Sequence, residues 1–191
     1  MILLGDEKYR EAILTQVRAQ TKEHLLVVVE GVQPVGKARN VAIKRALEAG
    51  ADVGVFFDSD DLYSEGYLAT VEKDLEGSIA VGKPQHYILD TTSGQYYLAG
   101  KARDYSVVPP CGPGGTLAVR LEHALPFAED IEDLEDLDWC LRMGSIGKPI
   151  KTTSPNGYMK RQFGSGHTCK QAFDEIVRRC KRLPCEPSWR R

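Results

Sequence analysis

Two short apolar runs constrain this chain more than anything else in it. Leu25-Leu26-Val27-Val28-Val29 and Val53-Gly54-Val55-Phe56-Phe57 are each of strand length and show no polar alternation, the pattern of strands covered on both faces. Between them, Gly36–Ala49 places Ala38, Ala42, Ala46 and Ala49 on one small-residue helical face, and Gly50 ends it. Upstream, Ile2–Leu4 is a very short apolar run, and Asp6 caps a segment with Tyr9, Ile13 and Val17 on one face. Ser64 caps a further helix through about Leu75. Strand, helix, strand, helix in this order predicts an α/β fold, a mostly parallel sheet flanked by helices and joined by right-handed crossovers.

After Gly77 the pattern changes. Ile79–Val81 and His86–Leu89 read as strands, and Gln95–Leu98 returns after the turn Asp90-Thr91-Thr92-Ser93-Gly94, a small mixed hairpin region. A Pro/Gly-rich loop, Pro109-Pro110-Cys111-Gly112-Pro113-Gly114-Gly115, leads into a short strand at Thr116–Val119. Leu134–Met143 reads as a helix with an acidic start. Residues 149–163 read as two short strands around Pro155-Asn156-Gly157. A C-terminal helix starts near Thr168, with Gln171 completing a capping box. The expected division is a main α/β domain over 1–167 and a basic helix and tail over 168–191.

Composition narrows the class. With 191 residues, 42% hydrophobic and 27% charged, the chain is neither a mainly disordered segment, a collagen nor a coiled coil. No apolar run approaches the roughly 18 residues of a membrane helix, and the start lacks the features of a signal peptide, so the expected location is cytoplasmic. Cys111, Cys140, Cys169, Cys180 and Cys185 form no Cys-x-x-Cys pair, which argues for unbridged thiols over a disulfide framework or a zinc site. The net charge of −2 hides an asymmetry: Lys148–Arg191 holds 11 Lys+Arg and 3 Asp+Glu, a net of +8, which leaves −10 for residues 1–147. Either the basic segment meets an anion, or the two parts neutralise each other.

Asp58-Ser59-Asp60-Asp61 follows the second apolar strand directly. Ligands of open α/β sheets bind at the carboxyl ends of the strands, and clustered carboxylates there repel one another unless a cation intervenes. The cluster is either a site for a hard divalent ion such as Mg²⁺ or Mn²⁺ or an exposed acidic turn. Upstream, Gly36-Lys37-Ala38-Arg39-Asn40 opens a helix with two cations. Downstream lie Phe127-Ala128-Glu129-Asp130 and the acidic helix start at Glu135.

Together these segments resemble the nucleotide-sugar-dependent glycosyltransferases of the GT-A fold, in particular the large family-two-type group. The resemblance rests on Ala38-Arg39-Asn40, on Phe56-Phe57-Asp58-Ser59-Asp60-Asp61, on Tyr67-Leu68, on Glu135-Asp136-Leu137-Asp138-Trp139-Cys140-Leu141-Arg142, and on a first helix ending in Ala19-Gln20-Thr21. It runs from about residue 1 to 167. The individual motifs are short; their order and spacing carry the likeness.

The resemblance implies a role for each matching position. Asp58 would lie near the donor ribose. Asp60, replaced or assisted by Asp61, would bind the Mn²⁺ or Mg²⁺ that bridges the diphosphate, with His167 a further metal or diphosphate ligand. Asp136 would be the general base toward the acceptor hydroxyl, with Glu135 orienting the acceptor or the helix start. Lys37, Arg39 and Arg161 would be the cations facing the leaving diphosphate. The implied reaction is a single displacement with inversion. Trp139 is either core or a sugar-stacking wall, and Gly112–Gly115 either lets backbone approach a sugar or is a flexible loop.

Two departures bear on the donor. The first strand lacks the family's Pro-Thr-Tyr-Asn continuation, and Glu30-Gly31-Val32-Gln33 stands where an Asp-Asp-Gly-Ser segment is usual, so Glu30 or Asp6 would have to grip the nucleoside. The basic C-terminal segment suggests a polyanionic acceptor, for instance a hydroxylated base in DNA. The competing readings are a degenerate nucleotide-sugar binding module without turnover and, behind it, a nucleotidyltransferase, for which Leu4-Gly5-Asp6 is too short a phosphate loop.

Overall fold

The structure is a computed structural model and describes residues 2–5, 7–99, 112–131, 134–148, 150–162 and 180–190. The C-terminal helix expected from Thr168, together with His167 and Asp6, lies outside the described residues.

The central layer is a six-stranded sheet. β1 (Ile2–Gly5) lies between β2 (Val27–Glu30) and β3 (Val53–Asp58), parallel to both. Beyond β3 come β8 (Ala118–Arg120), β5 (Ala80–Gly82) and β9 (Ile150–Thr152). β5 and β9 are parallel, but β8 runs antiparallel to both β3 and β5. A second, five-stranded sheet has the order β11 (Lys181–Arg182), β7 (Gln95–Ala99), β6 (His86–Asp90), β10 (Tyr158–Gln162) and β4 (Leu62–Tyr63). Among the described residues only β6 and β10 pair in parallel there.

The expected mostly parallel sheet is therefore corrected to two mixed sheets. The cause is local. A 3-10 turn over Gly114–Thr116 delivers the chain into a three-residue strand that wedges antiparallel between β3 and β5. A strand that short has no periodicity from which its direction could be read.

Among the described residues four helices cover the large sheet: α1 (Arg10–Arg18), α2 (Val35–Glu48), α3 (Tyr67–Asp74) and α4 (Glu135–Ser145). Successive side chains of a strand point to opposite faces, and in β3 both faces are buried: Phe56 and Phe57 are each fully covered. Phe56 packs with Ala38, Ala42 and Ala46 of α2 and Trp139 and Met143 of α4. Phe57 packs with Ile13 and Val17 of α1, Tyr67 and Val71 of α3, and Tyr158. The small-residue face of α2 is what lets that helix approach the sheet. Strand β2 starts two residues later than the apolar run, since Leu25 is exposed, and α3 starts at Tyr67 after Gly66 rather than at Ser64.

Candidate donor site

The acidic loop leaves the carboxyl end of β3 and is fastened from three directions. From α1, the Gln16 amide donates to the Asp61 carbonyl at 3.3 Å, and its oxygen accepts the Tyr63 N–H at 2.6 Å. From within the loop, the Asp58 N–H donates to the Tyr63 hydroxyl at 2.8 Å, which donates to the Gly115 carbonyl at 3.1 Å. From β10, Arg161 donates its N–H to Asp61 Oδ1 at 3.0 Å, its Nε to the Asp60 carbonyl and its Nη2 to the Ser59 carbonyl at 3.4 Å.

The three aspartates differ in what surrounds them. Asp61 is 1% exposed, and its second oxygen accepts from the Tyr158 hydroxyl at 2.6 Å. Asp58 and Asp60 are only partly covered. Burial raises the Asp58 carboxyl to about 6; Arg39 and Lys160 oppose the rise and Asp60 and Glu135 add to it. Burial also pushes Asp61 well up, with Asp60 and Asp58 adding repulsion. The loop thus concentrates negative charge that it does not fully neutralise.

Arg39 is 3% exposed, and its guanidinium bridges two segments far apart in sequence. It pairs directly with the buried Glu135 at the start of α4, and its Nη2 lies 3.9 Å from Asp58. Phe127 and Phe56 present their rings to it, with centroids 5.1 and 5.8 Å away. Next to it, Asn40 donates to the Phe127 carbonyl at 2.9 Å and accepts the Phe127 N–H at 2.7 Å. The Ala-Arg-Asn segment therefore binds α2 to the chain leading into α4. Gly36 belongs to the same contact, because a Cβ there would collide with the Ala128 carbonyl.

Asp136 follows Glu135 in the first turn of α4 and is partly covered; its Oδ1 accepts the Leu137 N–H at 2.7 Å. The residue before this helix, Leu134, has φ 66° and is the one non-glycine among the described residues in the left-handed region. It marks a strained entry to the helix. Trp139 is a core residue: it is 1% exposed, stacks on Phe127 and donates its indole N–H to the Leu125 carbonyl at 2.7 Å.

The glycine-rich loop closes over this arrangement. A Cβ on Gly114 would collide with the Arg39 guanidinium, and one on Gly115 would lie 2.6 Å from the Tyr63 hydroxyl and 2.9 Å from Asp58 Oδ2. These glycines let backbone lie against charged side chains. Lys37 is exposed at the start of α2, and Glu30, at the end of β2, pairs with Arg10 at 3.6 Å.

The structure thus brings Asp58, Asp60, Asp61, Arg39, Glu135 and Arg161 together and sets Asp136 beside Glu135. Arg39 and Arg161, expected to face a diphosphate, spend much of their hydrogen bonding on Glu135 and on loop carbonyls. Sequence reasoning missed Lys160, which acts electrostatically on both Asp58 and Asp61, and Lys83, 1% exposed, whose backbone meets Gly112. Both lie in strands or strand ends without a motif. No group of three or more His, Cys, Asp or Glu among the described residues is arranged to hold a metal. No described helix is long and apolar enough to cross a membrane.

With the fold and this loop in view, the architecture is of the GT-A type. It is shared with Staphylococcus aureus TarS. TarS 1–349 in complex with UDP-GlcNAc superposes with a TM-score of 0.64 at 17% identity, over 93% of this chain and 64% of that one. The complex of TarS 1–349 with UDP gives 0.59 at 15% identity, over 86% and 60%. The chain thus spans less than two thirds of the TarS fragment. No protein-family profile and no curated sequence matches it.

Proposed function

We propose that this chain is a nucleotide-sugar glycosyltransferase that moves a sugar from a nucleoside-diphosphate donor to an acceptor hydroxyl. The observation that carries the reading is the Asp58–Arg39–Glu135 bridge. It ties the acidic loop at the end of β3 to the helix start that bears Asp136. One buried cation thereby couples the expected donor-binding carboxylates to the expected base. The UDP-GlcNAc and UDP complexes of TarS, which shares the fold, support this class of donor.

The donor set fits a Mn²⁺ or Mg²⁺ ion that takes its remaining ligands from a diphosphate. Such ions bind through one or two carboxylates plus substrate phosphates, and Asp58 and Asp60 are two partly covered, mutually repelling carboxylates. When bound, the ion would offset charge on the diphosphate. Asp61 is better read as a structural carboxylate, since Tyr158 and the Arg161 N–H take its oxygens. Glu135 positions Arg39 rather than the acceptor.

In the proposed reaction Asp136 takes the proton of the acceptor hydroxyl. That oxygen bonds to the anomeric carbon as the bond to the diphosphate oxygen breaks, which inverts the configuration in one displacement. Lys37, exposed at the helix start, is available to the departing nucleoside diphosphate. The acceptor proposed is anionic, a hydroxylated base in DNA being the case to test, on the strength of the +8 charge of Lys148–Arg191.

The test follows UDP release from UDP-GlcNAc with Mn²⁺ and an acceptor panel that includes hydroxymethylated duplex DNA. Asp136→Asn should bind UDP as the wild type does and lose turnover by about 10²-fold or more. A wild type that binds UDP but releases none with any acceptor favours the binding-module reading. Unchanged turnover in Asp136→Asn removes the assignment of the base.

A further inference from the structure

α1 reaches the chain after β3 through two glutamines one helical turn apart, and the two do the same chemistry at different places. The Gln20 carboxamide donates to the Ser64 carbonyl at 2.7 Å and accepts the Leu68 N–H at 3.1 Å, so it holds the entrance to α3. The Gln16 carboxamide donates to the Asp61 carbonyl at 3.3 Å and accepts the Tyr63 N–H at 2.6 Å, so it holds the end of the acidic loop. These two backbone groups flank Leu62 in β4, the last strand of the five-stranded sheet. Gln16 takes both, as a neighbouring strand would, and so covers that stretch of edge.

The acidic loop is a turn in which the Asp61 N–H donates to the Asp58 carbonyl at 3.2 Å. Both of its ends lead back to Gln16. The Asp61 carbonyl is bonded by it directly, and the Asp58 N–H is bonded by the hydroxyl of Tyr63, whose own N–H Gln16 accepts. α1 itself does not depend on this residue: Ile13 and Val17 are buried in one cluster with Phe57, and the Thr21 N–H donates to the Glu65 carbonyl at 2.9 Å. A loop that is ordered only when its ligand arrives costs affinity, and Gln16 orders this one beforehand. We propose that Gln16 is a positioning residue of the donor site, which fixes the Asp58–Asp61 turn in the shape that receives a metal-bound nucleoside diphosphate. The inference rests on the donor reading given above.

Gln20 supplies the matched control, because it makes the same pair of bonds from the same helix and does not touch the turn. Gln16→Met and Gln20→Met each keep a straight, helix-favouring side chain and each abandon two backbone groups, so both should lower the urea midpoint. Only the first should change the donor site. The experiment is calorimetric titration of the full chain and of both variants with UDP at saturating Mn²⁺. Gln16→Met should bind UDP about tenfold weaker than the wild type, and Gln20→Met should stay within about twofold of it. If Gln16→Met does not fold, Gln16→Glu carries the same test, since its carboxylate still accepts the Tyr63 N–H and cannot donate to the Asp61 carbonyl.

Equal UDP affinity in the wild type and the Gln16 variant overturns this inference and leaves the donor reading standing. An equal loss of affinity in the Gln16 and Gln20 variants also overturns it, since the loss then follows the seating of α1 as a whole and not the turn. A wild type that binds no UDP in the presence of Mn²⁺ overturns the donor reading, and this inference with it.

Discussion

Two buried cations belong to residues that touch the glycine-rich loop, Arg39 with its guanidinium and Lys83 with its backbone, and they are held in opposite ways. Arg39, 3% exposed, lies under Gly114 and is paired with carboxylates, Glu135 directly and Asp58 at 3.9 Å. Lys83, 1% exposed, meets the loop through its main chain: a Cβ on Gly112 would fall 2.6 Å from the Lys83 backbone nitrogen. Its ammonium donates mainly to neutral oxygens, Thr153 Oγ1 at 2.9 Å and the Ser154 carbonyl at 2.7 Å, with Asp74 at 3.9 Å and the Tyr67 ring centroid at 5.6 Å. Burial lowers the Lys83 ammonium to about 8, with Asp74 opposing the change. Arg39 is one part of a charge network whose other parts bear on the proposed chemistry. Lys83 is a fastening between α3, β5 and the segment after β9, and its charge is a cost that the fold tolerates.

The comparison is broken most directly by removing the arginine. Arg39→Met leaves Glu135 buried without its cation, which costs about 3–5 kcal/mol in such sites. The loss should appear in urea unfolding as a lowered midpoint at unchanged slope. The double variant Arg39→Met/Glu135→Leu should recover much of it, because the penalty belongs to the abandoned carboxylate. If Arg39→Met costs no more than the corresponding change at Lys83, the two cations are equivalent and the distinction fails.

A smaller effect sharpens the geometry. Gly114→Ala puts a methyl into the Arg39 guanidinium, and overpacking of this kind costs about 1–3 kcal/mol. Gly66→Ala is the control: its φ is −89° and nothing lies within 4 Å of the added carbon, so its effect should stay within about 0.5 kcal/mol. In the Arg39→Met background the Gly114→Ala penalty should shrink, since the two residues share one contact. A penalty that is the same in both backgrounds would place the strain elsewhere in the loop.

The same pair shows what could be read in the sequence. Arg39 was visible because a motif surrounds it and because its neighbours Ala38 and Ala42 announce a helix pressed on a sheet. That it reaches Glu135 was not visible, since the contact is made only once α2 and α4 pack on the same face of β3. Lys83 follows a three-residue strand and precedes a proline, so no periodicity marks it as buried. In the acidic loop, four consecutive residues gave no means of separating Asp61 from Asp58 and Asp60; Tyr158 and Arg161 separate them by arriving from β10. The described helices, β3 and the hairpin strands stood close to where apolar spacing put them, because each buries a continuous face. The direction of β8 escaped because it is set by a turn and by two neighbours rather than by its own three residues.

The smallest expected effect is at Lys83, and it changes with pH. At neutral pH Lys83→Met removes a buried charge, which is favourable, and leaves Thr153 and the Ser154 carbonyl without their donor, which is not. The two offset, and the variant should lie within about 1 kcal/mol of the wild type. Between about 8 and the ordinary lysine value of 10.5 the unfolded chain holds this proton and the folded chain has released it, so wild-type stability rises with pH there. Above about 10 the trend reverses, because burial raises the hydroxyls of Tyr63, Tyr67 and Tyr158 and the folded chain keeps protons that the unfolded chain loses. The measurement is therefore urea unfolding of both proteins at pH 7.5 and 9.5. The wild type should gain stability relative to Lys83→Met over that interval. Parallel behaviour of the two would mean that burial does not lower the Lys83 ammonium, and that this charge is kept in the folded protein without cost.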